Sequence, residues 1–301
     1  MRILKTLEEL RSWRRTLRDP LGFIPTMGYL HKGHLSLVRH AQQECASTLV
    51  SIFVNPTQFS PNEDFSRYPS DIKRDLKLLA PLGVNGVWIP EVQEIYPAGF
   101  QTTVHVTRLT QPLEGRVRPG HFDGVATVIT KLFHAATPQR AYFGQKDAQQ
   151  VLAMRQMSRD LNFPVDIIAC PTVREPDGLA LSSRNSYLAR DQRAVAGILH
   201  RSLVAAKISY ENGERRAGAL RKTMLRILAE EPSARPDYVS IANVATLEEL
   251  EAVNEEALFS LAVRIGSTRL IDNFLLERGV WQTGRIAGAP TVAQEVYALN
   301  Y

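Results

Sequence analysis

The run Thr48-Leu49-Val50-Ser51-Ile52-Phe53-Val54 constrains the fold more than any other stretch of this chain. It is apolar and β-branched along most of its length and too short for a buried helix, so it reads as an inner strand of a parallel sheet, covered on both faces. A parallel strand needs a crossover connection, and the preceding residues supply one. Residues 21–24 read as a strand, and Leu35, Val38 and Ala41 then recur at helical spacing. Strand, helix, strand is a βαβ unit. An amphipathic helix over 8–17 precedes it. Helices over 71–79, 125–136 and 148–161 alternate with strands over 84–89, 141–143 and 165–169. This alternation predicts a doubly wound, Rossmann-like α/β sheet that binds ligands beyond the carboxyl ends of its strands.

The pattern changes near residue 172. Helical stretches over 190–212 and 215–230 precede strands over 238–241 and 258–265, which predicts a smaller α+β domain. The expected division is 1–172 for the Rossmann-like domain and 173–301 for the second, lid-like one. At 301 residues the chain is long enough for two cores. The formal charge of +5 is spread along the chain with no basic block among exposed aromatics, so an anionic small molecule accounts for it as well as nucleic acid does. The N-terminal residues mix charge with leucine and do not read as a secretory signal, and no run approaches a membrane span. Cys45 and Cys170 form no CxxC pair and read as free thiols in a reducing cytoplasm.

Chemistry concentrates where the predicted strands end. The segment Met27-Gly28-Tyr29-Leu30-His31-Lys32-Gly33-His34 joins a strand to a helix, where glycine admits a ligand close to the backbone and free N–H groups and the helix dipole favour phosphate. Imidazoles there can donate to phosphate oxygens near neutral pH, although the same histidines could merely cap the helix. Asn55 and Gln58 follow the buried strand and suit a polar substrate, or else satisfy their own Pro-containing turn. Gly144-Gln145-Lys146-Asp147, with Gln150 one turn on, offers a cation beside a capping carboxylate. Leu181-Ser182-Ser183-Arg184 offers hydroxyls and a guanidinium in a loop after Asp177-Gly178, and Arg118 with His121 offers further charge.

With these clusters taken together, the chain resembles the pantothenate synthetase (pantoate–β-alanine ligase) family of the HxGH nucleotidyltransferase superfamily. The matching pieces are Pro25 to Gly28 with His31 to His34, Phe53-Val54-Asn55-Pro56 with Gln58-Phe59, Arg67-Tyr68-Pro69, and Leu113-Glu114-Gly115 with Arg118-Pro119 and His121-Phe122. Phe143 to Asp147 with Gln149-Gln150, Leu179 to Asn185 and Arg269 to Asn273 complete the set, in order over about residues 1–275. Gln145 stands where that family often has Glu and Leu181 where it often has Met. The tail from Phe274 to Tyr301 is longer than usual and has no functional reading.

The resemblance implies a two-step ATP- and Mg²⁺-dependent reaction: pantoate is activated as an adenylate, then the amine of β-alanine displaces AMP. It puts His34 in the proton-donor place and Met27 to His34 on ATP, with Gly144 to Asp147, Val173 through its backbone, and Leu181 to Arg184. His31, Lys146 and Arg184 would stabilise charge on phosphate. Gln58 and Gln150 would hold pantoate, with Asn55, Arg118 and His121 as further contacts. Asp75 would touch Mg²⁺ indirectly, while on the residues alone it reads as a solvated helix position. A cytoplasmic homodimer without membrane or nucleic-acid partners is also implied. Two rivals remain at this point, another enzyme of the superfamily, such as a cytidylyltransferase or a class I aminoacyl-tRNA synthetase, and a nucleic-acid-binding protein.

Overall fold

Six parallel strands carry the amino-terminal part of the chain. The computed structural model describes residues 1–60 and 63–287. They fall into two compact units, the first made of Met1–Gly144 with Gln149–Cys170, the second of Gln145–Ala148 with the chain from Pro171 to the last described residue, Ala287.

The first unit runs β1 (Arg2–Leu4), α1 (Leu7–Arg14), β2 (Leu21–Thr26), α2 (Lys32–Glu44), β3 (Ser47–Ile52), α3 (Ile72–Leu79), β4 (Gly86–Trp88), α4 (Val92–Ile95), α5 (Glu114–Val117), α6 (His121–Ala136), β5 (Arg140–Gly144), α7 (Ala148–Asp160) and β6 (Asp166–Cys170). Its sheet order is β1-β4-β3-β2-β5-β6, every pair parallel. All six residues of β3 are buried, as an inner strand requires. Its side chains alternate between two cores. Leu49 joins Leu21, Phe23 and the apolar face of α6, while Val50 and Ile52 join Ile24, Val87 and the inner faces of α2 and α3. Strand order reverses between β2, which continues to β3 on one side, and β5 on the other. Crevices of this kind beyond the carboxyl ends are where open α/β sheets bind ligands.

The second unit holds β7 (Val173–Arg174), α8 (Arg190–Val195), α9 (Ile198–Glu211), α10 (Ala217–Leu228), β8 (Ala234–Ala242), β9 (Ala257–Ile265), β10 (Thr268–Glu277), β11 (Val280–Gln282) and β12 (Arg285–Ile286). An antiparallel sheet, β11-β10-β9-β8, packs Phe259, Leu261, Phe274 and Leu276 with Leu199 and Leu203 of α9 and Leu220 and Met224 of α10. The single helix expected over 190–212 is two, separated at Ala196 and Gly197. Phe274 to Glu277, expected in the tail, complete β10, and β11 and β12 follow. The rest of that tail, 288–301, lies outside the described residues. Among the described residues, no helix is long and apolar enough to cross a membrane.

Candidate active site

Met27 to His34 leave the carboxyl end of β2 at the point where the strand order reverses. Gly28 (φ +84°) and Tyr29 (φ +51°) both take left-handed backbone, and a Cβ on Gly28 would stand 3.0 Å from Ile52 and 3.2 Å from Asp75 Oδ2. Asp75 holds this turn. Its carboxylate accepts the N–H of Tyr29 (2.7 Å) and of Leu30 (2.8 Å), one on each oxygen. Asp75 is fully buried and not the solvated residue its helical position implied. Burial raises its pKa, while the two N–H groups and Arg74 pull it back.

His31 caps α2, its Nδ1 accepting the Gly33 N–H at 3.1 Å, and His34 Nδ1 accepts the His31 N–H at 3.3 Å. An atom that accepts carries no proton. Each neutral ring is therefore held as the tautomer with its proton on Nε2, the state that donates to an anion. The rings lie 4.1 Å apart, tilted by 32°, over the first turn of a 13-residue helix whose dipole also favours anions. Capping and anion binding are thus compatible, since they use different nitrogens. Lys32 is exposed beside them.

Asn55 and Gln58 form a linked pair beyond β3. Asn55 Nδ2 donates to Gln58 Oε1 (3.1 Å) and to the Gly124 carbonyl (3.1 Å), and its Oδ1 accepts from the Thr57 hydroxyl (2.9 Å) and Tyr96 (2.9 Å). Buried and saturated, Asn55 orders the turn, as the bland reading of this segment expected. Gln58 stays half-buried, and its Nε2 donates to Met27 Sδ at 3.2 Å, which joins it to the histidine turn. Gly124 admits this turn to α6, because a Cβ there would stand 2.3 Å from the Thr57 carbonyl.

His121 donates from Nδ1 to the Gln58 carbonyl (2.8 Å), and Arg118 donates to its Nε2 (3.0 Å). Burial, with Arg118 second, lowers the His121 pKa to about 4, so the ring is neutral at pH 7. Arg118 is gripped by both oxygens of Glu63 at 2.6 and 2.9 Å. Both residues thus support the backbone of Gln58. Gln149 secures the segment leading to Arg118, accepting the Glu114 N–H and donating to the carbonyls of Leu109 and Pro112. Gln150 follows it, half-buried in the first turn of α7.

Gly144 ends β5, and Gln145, Lys146 and Asp147 form a tight turn that belongs to the second unit. Lys146 Nζ lies 3.5 Å from Asp147 Oδ1. In the same unit the Val173 carbonyl accepts the Leu181 N–H (2.9 Å), and Ser182 caps the short helix Ser183–Tyr187, its Oγ accepting the Arg184 N–H at 3.2 Å. Leu179, Ala180 and Ser183 are buried, so this segment is built into the unit.

The roles of Asp75, Glu63, Tyr96 and Gly124 as supports were not read from the sequence. Among the described residues, no group of three or more His, Cys, Asp or Glu is arranged to hold a metal ion.

Residues 2–275 match the family model described as pantoate–β-alanine ligase. The chain belongs to this family. As a pantoate–β-alanine ligase it is an ATP-dependent ligase, which sets aside the other enzymes of the superfamily. The pantothenate synthetase of Chloroflexus aurantiacus is 58% identical over 278 residues, covering 92% of this chain and 99% of that protein. That of Herpetosiphon aurantiacus is 56% identical over 277 residues, covering 92% and 100%. Among solved structures, pantothenate synthetase from Thermus thermophilus superposes with a TM-score of 0.89 at 46% identity, covering 92% of this ligase and all of that chain. The pantoate–β-alanine ligase of Francisella tularensis, complexed with β,γ ATP and β-alanine, gives 0.76 at 36% identity, covering 91% and 97%.

Proposed function

We propose that this ligase condenses pantoate with β-alanine through a pantoyl adenylate, giving pantothenate, AMP and pyrophosphate. The observation that carries the reading is the 3.2 Å contact of Gln58 Nε2 with Met27 Sδ, which seats an amide donor against the histidine turn. A carboxylate does not react with an amine at neutral pH and needs a leaving group. A pantoate carboxylate oxygen attacks the α-phosphorus of ATP, the bond to the bridging β-phosphate oxygen breaks, and pyrophosphate leaves. The Nε2–H groups of His34 and His31 face charge that grows on the phosphates, where an oriented donor contributes most. The amine of β-alanine then attacks the activated carbonyl carbon, AMP departs, and the amine sheds its proton. This second step depends chiefly on proximity and the exclusion of water.

Met27 to His34 are proposed to meet ATP through backbone and imidazole. Gly144 to Asp147, the Val173 backbone and Leu181 to Arg184 are proposed on the family resemblance as further ATP contacts, with Lys146 and Arg184 meeting phosphate. Gln58 and Gln150 are proposed to hold pantoate, with Asn55, Arg118 and His121 positioning Gln58. Mg²⁺ is proposed to arrive on the phosphates of ATP. Asp75, with both oxygens on backbone N–H groups, does not fit as a direct ligand. The family resemblance further supports a cytoplasmic homodimer.

The test is product analysis with ATP, Mg²⁺, pantoate and β-alanine. AMP and pantothenate in equal amounts, each dependent on all three substrates, are expected. Formation of ADP would indicate an acyl phosphate and overturn the adenylate.

A further inference from the structure

We infer that Asn273 is a positioning residue for Lys146, an inference that rests on the reading of Lys146 as a phosphate contact. Asn273 lies in β10 and is buried. Its Nδ2 donates to the carbonyls of Gln145 (3.0 Å) and Lys146 (2.8 Å), and its Oδ1 accepts from Gln145 Nε2 at 3.2 Å. Two carbonyls can only accept, so the orientation of the Asn273 amide is fixed by its partners. One side chain thereby ties down two successive peptides of the lysine turn.

The clasp has a rigid base. The Asn273 N–H donates to Asp272 Oδ1 (2.8 Å), and Arg174 binds both oxygens of Asp272 at 2.6 and 2.9 Å, with both side chains almost fully buried. The same guanidinium donates to the carbonyls of Gly178 and Thr283 and lies 5.3 Å from the centre of the Phe274 ring. A buried bidentate pair with every donor used has little freedom to shift. The Cα of Lys146 is set by this network, while its ammonium stays partly exposed. Gln145 completes the clasp, since its amide supplies the N–H that Asn273 Oδ1 accepts.

A positioning residue differs from a merely structural one in acting through its client. The test is a double-mutant cycle on pantoate-dependent pyrophosphate exchange, using Lys146→Ala, Asn273→Ala and the pair. Lys146→Ala is expected to slow exchange by about a hundredfold and Asn273→Ala by about tenfold. The pair is expected to be no worse than Lys146→Ala within about threefold. Aminolysis of preformed pantoyl adenylate by Asn273→Ala should stay within about threefold of wild type, because the β- and γ-phosphates have already left as pyrophosphate. Should Asn273→Ala not fold, Gln145→Leu removes the side-chain amide that donates to Asn273 Oδ1, leaves the two carbonyls that Asn273 Nδ2 binds, and is read in the same cycle. Multiplying losses in the pair, or equal losses in exchange and aminolysis, would overturn the inference alone. A Lys146→Ala enzyme that exchanges as wild type would instead overturn the reading of Lys146, and the inference with it.

Discussion

Asn55 Nδ2 stands 3.1 Å from Gln58 Oε1, so the first amide decides which way the second one faces. Its own orientation is fixed in turn by the donors on its Oδ1, the hydroxyls of Thr57 and Tyr96. Gln58 therefore presents N–H to whatever occupies the space beside Met27. That is the polarity a carboxylate or a hydroxyl oxygen needs.

Gln58→Glu keeps the bond from Asn55 and replaces the presented N–H with a negative oxygen. A like charge facing pantoate in a partly desolvated site costs several kcal/mol, roughly 2–5. The pantoate requirement is expected to rise steeply, while affinity for a non-hydrolysable ATP analogue changes by less than about 1 kcal/mol. Calorimetric titration and pantoate dependence of exchange read the two halves. Loss of ATP binding with unchanged pantoate dependence would move Gln58 to the wrong pocket.

Tyr96→Phe removes one of the donors that orient Asn55, together with the 3.1 Å contact of that hydroxyl with the Thr57 hydroxyl, and leaves Gln58 itself untouched. A single neutral hydrogen bond is worth about 0.5–1.5 kcal/mol, so the KM for pantoate should rise by roughly 2- to 12-fold. The KM for ATP should not move. Initial-rate kinetics with each substrate varied separately check this, and a rise confined to ATP would disprove the link.

Asp75→Asn leaves one of the Tyr29 and Leu30 N–H groups facing an amide donor. An unsatisfied buried N–H costs about 1–3 kcal/mol, and stability to urea should fall by that much. Because the same N–H pair shapes the turn that ends in His31, ATP-analogue affinity should fall at least about tenfold. A destabilised variant with wild-type affinity would show that the turn keeps its shape without the carboxylate.

His121 is held neutral, its folded pKa lowered to about 4 from an ordinary 6.5. Below the unfolded value the unfolded chain binds a proton that the folded one refuses, so stability falls as pH drops from about 6.5 toward 4. The full effect is on the order of 3 kcal/mol. His121→Asn retains a donor for the Gln58 carbonyl and cannot titrate. Urea unfolding from pH 7.5 to 5 should show a smaller decline in the variant, and parallel curves would refute the assignment.

The parallel sheet was legible because short, largely apolar runs alternate with helical spacing along the chain, and the β-branched run 48–54 is the clearest of them. β1 is only three residues long and carries Arg2, so it leaves no pattern. β10 was hidden because Asp272 and Asn273 interrupt its alternation, and both are buried only because Arg174 and the lysine turn meet them. At the candidate site, the histidine turn and Gln58 stood out by residue type and place. Asp75 did not, since an acidic residue in a helix looks solvated until the fold aims two N–H groups at it. Tyr96, 41 residues from its partner Asn55, was invisible for the same reason.

In the proposed mechanism the histidine turn acts in forming the acyl adenylate. Pyrophosphate exchange into ATP, measured with pantoate and without β-alanine, tests it most directly. Wild type should exchange only when pantoate is present, and His34→Ala should exchange more than about a hundredfold more slowly. That variant should still convert preformed pantoyl adenylate and β-alanine to pantothenate at close to the wild-type rate. Exchange that does not depend on pantoate, or equal losses in both half-reactions, would contradict the account.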